Sequence, residues 1–203
     1  MDHSGLILAS QSPRRKYLLE QVGLKFKIVP SQVDEQYVNG MTPDTLVKTL
    51  AEAKAKVVSD SFPEHWIIGA DTIVHIQERV LGKPDSMNTA REMLQQLSDN
   101  IHQVFTGYAI CNAARNISIV DMQRTDVYFK RLSQAEIEWY LHTDEPFDKA
   151  GAYAIQGLGM FLVKKVKGSY TNVVGLPVCE VMDHLYRAGA IEPKRGGCWQ
   201  ICT

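Results

Sequence analysis

Long apolar runs are missing from this sequence. No stretch approaches the roughly 20 apolar residues that a membrane-spanning helix requires, so no membrane partner is expected. The N-terminus also lacks the basic flank and long apolar core of a secretory signal. The four cysteines form no C-x-x-C pair, a usage that favours reduced thiols and a cytoplasmic protein.

An excess of charge of one sign is missing as well. The 22 Lys and Arg residues nearly balance the 23 Asp and Glu residues, and the formal net charge is −1. This balance does not favour a nucleic-acid partner, so any anion site must be a local cluster of positive charge.

Several common catalytic motifs are missing too. The sequence contains no P-loop, no G-x-G-x-x-G that opens a helix, no H-E-x-x-H and no G-x-S-x-G. The six histidines show no metal-ligand spacing, which argues against a zinc site.

What is present is an ordinary globular composition with alternating strand and helix patterns. The 203 residues suffice for one sizeable domain. Strand–helix units are followed by two long apolar-rich segments, His102–Ala113 and Ile117–Arg131, that predict a β-hairpin. The pattern predicts an α/β fold with a central mixed sheet. We expect one domain over residues 1–191, followed by a linker or atypical tail over residues 192–203.

The segment Ser10–Arg15 has the features of an anion-binding turn. It follows an apolar strand, Leu6–Ala9, and opens a helix, with Ser12 at the N-cap and Pro13 at the first helical position. A phosphate chain could be bound here by four kinds of group: free backbone N–H groups, the positive end of a helix dipole, the hydroxyls of Ser10 and Ser12, and two guanidinium groups. A plain capped helix with two solvated arginines is the alternative.

Asp71 is the clearest anomaly in the chain. It lies within Trp66–Val74, a mostly apolar segment that predicts a buried central strand. Because an unpaired buried carboxylate is costly, Asp71 requires a cation, a metal ion or several hydrogen bonds. A structural carboxylate that accepts backbone N–H groups is the alternative.

Further polar residues lie in loops and helices around these two segments. Glu35 follows the second predicted strand, Lys54 lies in the second helix, Thr72 follows Asp71, and Lys83 lies in a turn. Two carboxylates suit Mg²⁺, which takes its remaining ligands from water and phosphate, while Lys and Arg neutralise the phosphates. Taken singly, Glu35, Lys54 and Lys83 read as solvated surface residues. Together the set indicates a metal-dependent phosphoanhydride hydrolase.

At this point several motifs resemble those of Maf-type nucleoside triphosphate pyrophosphatases, in the same order along the chain. These motifs are Leu8–Arg15, Val33–Glu35, Ala51–Ala55, Gly69–Thr72, Gly82–Pro84, Phe105–Gly107 and Asp148–Gly157. The resemblance implies the inosine-triphosphatase-like fold, a long mixed sheet between two lobes with the site in the cleft. It also implies hydrolysis between the α and β phosphates, which gives a nucleoside monophosphate and pyrophosphate.

The resemblance also implies roles for individual residues. Asp71 would accept a proton and bind a divalent cation, Mg²⁺ or Mn²⁺, which Glu35 would help to hold. The phosphate oxygens would be bound by Ser10, Ser12, Arg14, Arg15, Lys54 and Lys83. Three positions match the family branch that acts on dTTP and UTP: Arg14, Thr72 and Gln156. A glutamine amide offers a donor and an acceptor, so it can pair with the O4 and N3–H edge of uracil or thymine.

Two other functions remain open. The same fold could serve non-standard purine triphosphates, or the chain could be a nucleotide-binding regulatory module with little turnover. The tail would suit a fusion to a C-terminal methyltransferase-like domain, and the family suggests a homodimer.

Overall fold

A computed structural model describes residues 5–33, 40–196 and 198–202. Its strands are β1 Leu6–Leu8, β2 Lys27–Ile28, β3 Trp66–Ile76, β4 Arg79–Leu81, β5 Ile101–Asn112, β6 Ile117–Phe129, β7 Val163–Lys167, β8 Ile191–Lys194 and β9 Cys198–Ile201. Its α-helices are α1 Pro13–Gln21, α2 Pro43–Ser61, α3 Met87–Leu97, α4 Gln134–Leu141, α5 Tyr170–Val174 and α6 Val178–Arg187. Three 3-10 turns lie between α4 and β7: Pro146–Asp148, Ala150–Ala152 and Gly157–Leu162.

The main sheet is mixed, as the sequence predicts. Its strand order is β2-β1-β3-β5-β6-β7, and β4 pairs with β3. Strand β1 runs parallel to both β2 and β3, whereas β4 is antiparallel to β3 and β7 is antiparallel to β6. The predicted pairing of β5 with β6 is confirmed, with Asn116 in a left-handed conformation in the turn between them. No described helix is long and apolar enough to cross a bilayer.

Helix starts follow the capping signals of the sequence. Ser12 accepts a hydrogen bond from the Arg15 amide, and Pro13 occupies the first turn of α1. The predicted capping box at the start of α4 is also present, with Ser133 and Glu136 each bonded to the other's backbone amide. These local signals suffice because a cap involves only neighbouring residues.

Four elements have no signal in the sequence. No element is predicted between Val74 and the turn Leu81–Pro84, but Arg79–Leu81 pairs with β3 through a tight turn in which Gln77 and Glu78 have positive φ. Such turns usually contain Gly or Asn, so this one carries no sequence signal. Helix α5 was not expected, and the tail forms a two-stranded sheet, β8-β9.

The chain divides into two compact units. The first comprises Met1–Asp71, Thr106–Met122 and Gly175–Thr203, and the second comprises Thr72–Phe105 and Gln123–Val174. Strand β3 therefore passes from the first unit to the second between Asp71 and Thr72. In the first unit, buried residues of α2 pack with β1, β3 and β5 around Ala51, Ile67 and Ala109.

The core of the second unit contains an aromatic group with a buried histidine. His102 is fully buried, lies edge-on to Phe129 and Tyr153, and its Nε2 is 2.8 Å from the Tyr153 hydroxyl oxygen. Burial lowers the pKa of His102 to about 3, so the ring is neutral at physiological pH. The group therefore anchors Tyr153, which opens the segment that leads to Gln156.

Gly107 allows α2 to lie directly against β5, and we expect Gly107→Ala to destabilise the fold. A Cβ at this position would lie 2.2 Å from the Val47 carbonyl oxygen, which is backbone and cannot move alone. Overpacking typically costs about 1–3 kcal/mol, and we expect the upper end. Urea unfolding measures the loss. Gly189→Ala is the control: its Cβ meets nothing within 4 Å, so this variant measures only the strain of a side chain at φ +68°, about 1–2 kcal/mol, and should lose less stability than Gly107→Ala. An equal loss in both variants would contradict the steric explanation.

Candidate active site

The turn between β1 and α1 is fixed by its own polar side chains. The Ser10 hydroxyl oxygen accepts hydrogen bonds from the Ser12 amide and from Arg15 Nη1, both at 3.2 Å. Arg15 Nε donates to the Gly175 carbonyl oxygen at 2.9 Å. Ser10 is 8% exposed, and Ser12, Arg14 and Arg15 are half-buried. Arg15 therefore braces the turn, while the helix N-terminus that follows can bind an anion.

Asp71 and Lys54 form a buried ion pair. Lys54 Nζ lies 2.6 Å from Asp71 Oδ1, and each side chain is 9% exposed. The interpretation of Lys54 as a solvated surface residue is wrong. Gly69 explains how the lysine reaches the strand: a Cβ at Gly69 would lie 2.5 Å from the Ala51 carbonyl oxygen, so only glycine lets α2 pack this closely on β3.

The parallel pairing of β1 with β3 brings the start of the turn between β1 and α1 to the strand that carries Asp71. Leu8 pairs with Ile68, and the Ala9 amide donates to the Ile68 carbonyl oxygen at 2.8 Å. The pairing thus ends two residues before Ser10 in one strand and three residues before Asp71 in the other. The structure thus combines a helix N-terminus, a buried ammonium and a buried carboxylate within the first unit.

Glu35 lies outside the described residues. The segment that leads to it is held at the same end of the sheet, because Ser31 Oγ donates to the Ala9 carbonyl oxygen at 3.3 Å. Among the described residues, no three or more His, Cys, Asp or Glu side chains are grouped so that they could hold a metal ion.

Thr72, Lys83 and Gln156 belong to the second unit. Thr72 and Gln156 are half-buried, and Lys83 is exposed. The Gly151 amide donates to the Gly82 carbonyl oxygen at 3.0 Å, so the turn that carries Lys83 is tied to the segment that leads to Gln156.

Glu145 has no signal in the sequence. Its carboxylate accepts hydrogen bonds from the backbone amides two and three residues after Gln156. Nothing in the spacing of Asp144, Glu145 and Pro146 separates this residue from a solvated acid in a loop, because its partners lie 13 and 14 residues further on.

The architecture is that of the inosine-triphosphatase-like α/β class, as the resemblance implies. A solved structure with a similar fold is the Staphylococcus aureus Ham1 protein, at a TM-score of 0.50 and 11% identity, with 90% of this chain and 98% of that chain covered. At this identity the likeness shows the fold alone.

Within this class, the chain belongs to the Maf-like protein family, whose model matches residues 5–188. A protein of Geotalea uraniireducens is 50% identical over 93% of this chain and 97% of its own length. A protein of Halalkalibacterium halodurans is 51% identical over 85% and 90%, and one of Syntrophus aciditrophicus is 43% identical over 92% and 91%. Each of the three is named dTTP/UTP pyrophosphatase. They lend no support to a methyltransferase fusion.

Proposed function

We propose that this chain hydrolyses nucleoside triphosphates, dTTP and UTP foremost, to the nucleoside monophosphate and pyrophosphate. The observation that carries the proposal is the buried Lys54–Asp71 pair, whose carboxylate lies on β3, the strand paired with β1, which leads into a helix N-terminus suited to phosphate. The names of relatives at 43–51% identity support the same activity.

Asp71 accepts the proton of the attacking water. The water oxygen bonds to the α-phosphorus while the bond to the bridging oxygen breaks, and pyrophosphate leaves with that oxygen. Lys54 holds the carboxylate in place through Oδ1 at 2.6 Å. A positioned base of this kind typically contributes 10²–10⁴-fold to the rate.

The phosphate chain is bound by cations, hydroxyls and backbone amides. In this proposal the ligands of the phosphate oxygens are Ser10, Ser12, Arg14, Arg15, Lys54 and Lys83. The Arg15 side chain also donates hydrogen bonds to Gly175 and Ser10. Its loss would therefore change both the conformation of the turn and the charge of the phosphate site.

A divalent cation, Mg²⁺ or Mn²⁺, fits the donor set. Asp71 would supply one carboxylate oxygen, and Glu35 would be the second protein ligand. Mg²⁺ in proteins typically takes only one or two carboxylates and completes its shell with water and phosphate oxygens. When bound, the cation neutralises phosphate charge and polarises the phosphoanhydride.

Gln156 reads the base in this proposal, and Thr72 and Arg14 are the other two positions that match the dTTP and UTP branch. We expect Gln156→Glu to weaken pyrimidine selectivity. A carboxylate can still accept from N3–H, but it cannot donate to O4 of thymine or uracil. Leaving that group unpaired costs about 1–3 kcal/mol, so kcat/KM for dTTP should fall roughly tenfold or more relative to dCTP. An unchanged ratio in steady-state assays would remove Gln156 from the site.

Product analysis tests the proposed function directly. The purified chain is incubated with Mg²⁺ or Mn²⁺ and a panel of nucleoside triphosphates, and the products are separated by ion-exchange chromatography. Monophosphate with pyrophosphate, strongest for dTTP and UTP, supports the proposal. Orthophosphate without pyrophosphate contradicts it. Tight dTTP binding without turnover would favour the regulatory module, and preference for non-standard purines would favour the other substrate class.

Three further properties belong to the same proposal. Residues 1–191 form the pyrophosphatase domain, supported by the family match to residues 5–188, and the protein forms a homodimer, which light scattering would test. A cytoplasmic location agrees with four cysteines that form no disulfide.

A further inference from the structure

The backbone around Gln156 is fixed on both sides by two side chains, Tyr140 and Glu145. Before Gln156, the Ala154 amide donates to the Tyr140 hydroxyl oxygen at 3.1 Å. After it, the amides of Leu158 and Gly159 donate to the two carboxylate oxygens of Glu145 at 2.7 and 3.0 Å. Gln156 thus lies at the centre of a loop with a hydrogen-bonded anchor on each side.

The two anchors are joined to each other. The Tyr140 hydroxyl donates to Glu145 Oε2 at 3.1 Å. Tyr140 is fully buried, and burial raises the pKa of its hydroxyl, which therefore keeps its proton for this bond. The Glu145 backbone is held as well, because Lys149 Nζ donates to its carbonyl oxygen at 2.7 Å.

Glycine follows Gln156 because Glu145 occupies the space that a side chain would need. Gly157 has φ of +67°, and a Cβ there would lie 2.1 Å from Glu145 Oε1. The loop therefore combines a left-handed glycine with direct contact to a carboxylate, a conformation that other residues adopt only with strain. These constraints hold the backbone at Gln156 in one conformation.

A fixed position matters for a glutamine that reads a base. The donor and acceptor of its amide are nearly equivalent in shape. Turned over, the same amide can accept from N4–H₂ of cytosine and donate to its N3. A glutamine on a loose loop could shift to suit either pyrimidine, whereas a fixed backbone brings the amide to one place, from which the rest of the site can favour the O4 and N3–H edge of thymine and uracil.

We infer that Tyr140 and Glu145 are positioning residues that hold Gln156 in register with one base edge and so set pyrimidine selectivity. This inference rests on the proposed base-reading role of Gln156. Neither residue touches the reacting phosphates in this scheme, so their loss should change the choice of base more than the rate of the chemical step.

Glu145→Gln and Tyr140→Phe test the inference. The carboxamide places an NH₂ group against a backbone N–H, and Phe removes only the hydroxyl while it keeps the ring packing. In each variant, we expect the ratio of kcat/KM for dTTP to that for dCTP to fall about tenfold. The double variant Glu145→Gln/Gln156→Ala should have the same ratio as Gln156→Ala alone, because both changes act on one contact.

Glu138→Gln is the matched control on the same helix, α4. Glu138 pairs with Arg91 at 2.6 and 2.9 Å, so this change also breaks a carboxylate contact but leaves the Gln156 loop intact. Its dTTP/dCTP ratio should equal that of the wild type. A uniform loss of activity in the Glu145 and Tyr140 variants, with the ratio unchanged, would show a purely structural role and overturn the inference.

Failure of the proposed function would look different. Wild-type protein would then turn over no triphosphate. The inference would be tested instead by the ratio of the dTTP and dCTP affinities, measured by calorimetry, in place of the ratio of kcat/KM values. A wild-type preference for dTTP that disappears in Glu145→Gln would still support the positioning role. Equal affinity ratios in both proteins, or no nucleotide binding by the wild type, would overturn it.

Discussion

Asp71→Asn should abolish nearly all turnover while the chain still folds. The amide cannot accept a proton from water and is a poorer ligand for a divalent cation, so we expect kcat to fall by about 10²–10⁴-fold. Asparagine keeps an oxygen within reach of Lys54 Nζ, which lies 2.6 Å from Oδ1 in the wild type. Loss of the counter-charge destabilises the fold, but the ammonium keeps a hydrogen-bond acceptor, so we expect a smaller loss than in Lys54→Met. Pyrophosphate release measures the activity, and circular dichroism checks the fold.

A matched control separates this effect from a general effect of charge. Asp60→Asn removes a carboxylate from the exposed end of α2 and should leave kcat unchanged. Binding of a non-hydrolysable dTTP analogue to Asp71→Asn should persist in the absence of metal, because the anion-binding turn is intact. Turnover within tenfold of wild type would rule out the role assigned to Asp71.

The turn, the strand and the helix of this site could be predicted because each depends on neighbouring residues. Ser12 and Pro13 define the start of α1 by local capping alone. Asp71 was recognised as buried because its own strand is apolar on both sides. The sequence therefore predicts the conformation or burial of those candidate site residues that depend on their neighbours along the chain.

The helical spacing of α2 contains a signal that Lys54 is buried, although the residue taken singly reads as a surface lysine. Its helix has buried residues at Val47, Leu50, Ala51 and Val58, and Lys54 lies on the same face at helical spacing. A cation on the apolar face of a helix, together with an unpaired carboxylate in an apolar strand, indicates a buried pair. Each residue alone looked ambiguous, and only the packing distance fixed by Gly69 joins them.

Elements that depend on distant contacts could not be predicted. The tight turn before β4 contains Gln77 and Glu78 at positive φ, without the usual glycine or asparagine. The loop around Gln156 has a glycine signal at Gly157, but its hydrogen bonds go to Tyr140 and Glu145, which are distant in sequence. In both cases the conformation depends on tertiary contacts, so the local sequence pattern does not predict it.

Lys54→Met should be the most destabilising change at the site and should also impair catalysis. It leaves the Asp71 carboxylate buried without its cation, and loss of one partner of a buried pair typically costs about 3–5 kcal/mol. The same change removes a positive charge from the proposed phosphate site. Urea unfolding and pyrophosphate release measure the two effects, and Lys56→Met on the exposed side of α2 should change neither.

The double variant Lys54→Met/Asp71→Asn distinguishes the two effects. It removes both charges, so most of the stability lost in Lys54→Met should return, since a buried pair replaced by neutral groups is often no less stable than the original. Activity should stay at the level of Asp71→Asn, because the proton acceptor is absent. If the double variant were as unstable as Lys54→Met, the loss would come from the packing of the lysine stem, and the pair would have no electrostatic role in stability. Recovery of stability without activity would show that this pair is kept for catalysis rather than for folding.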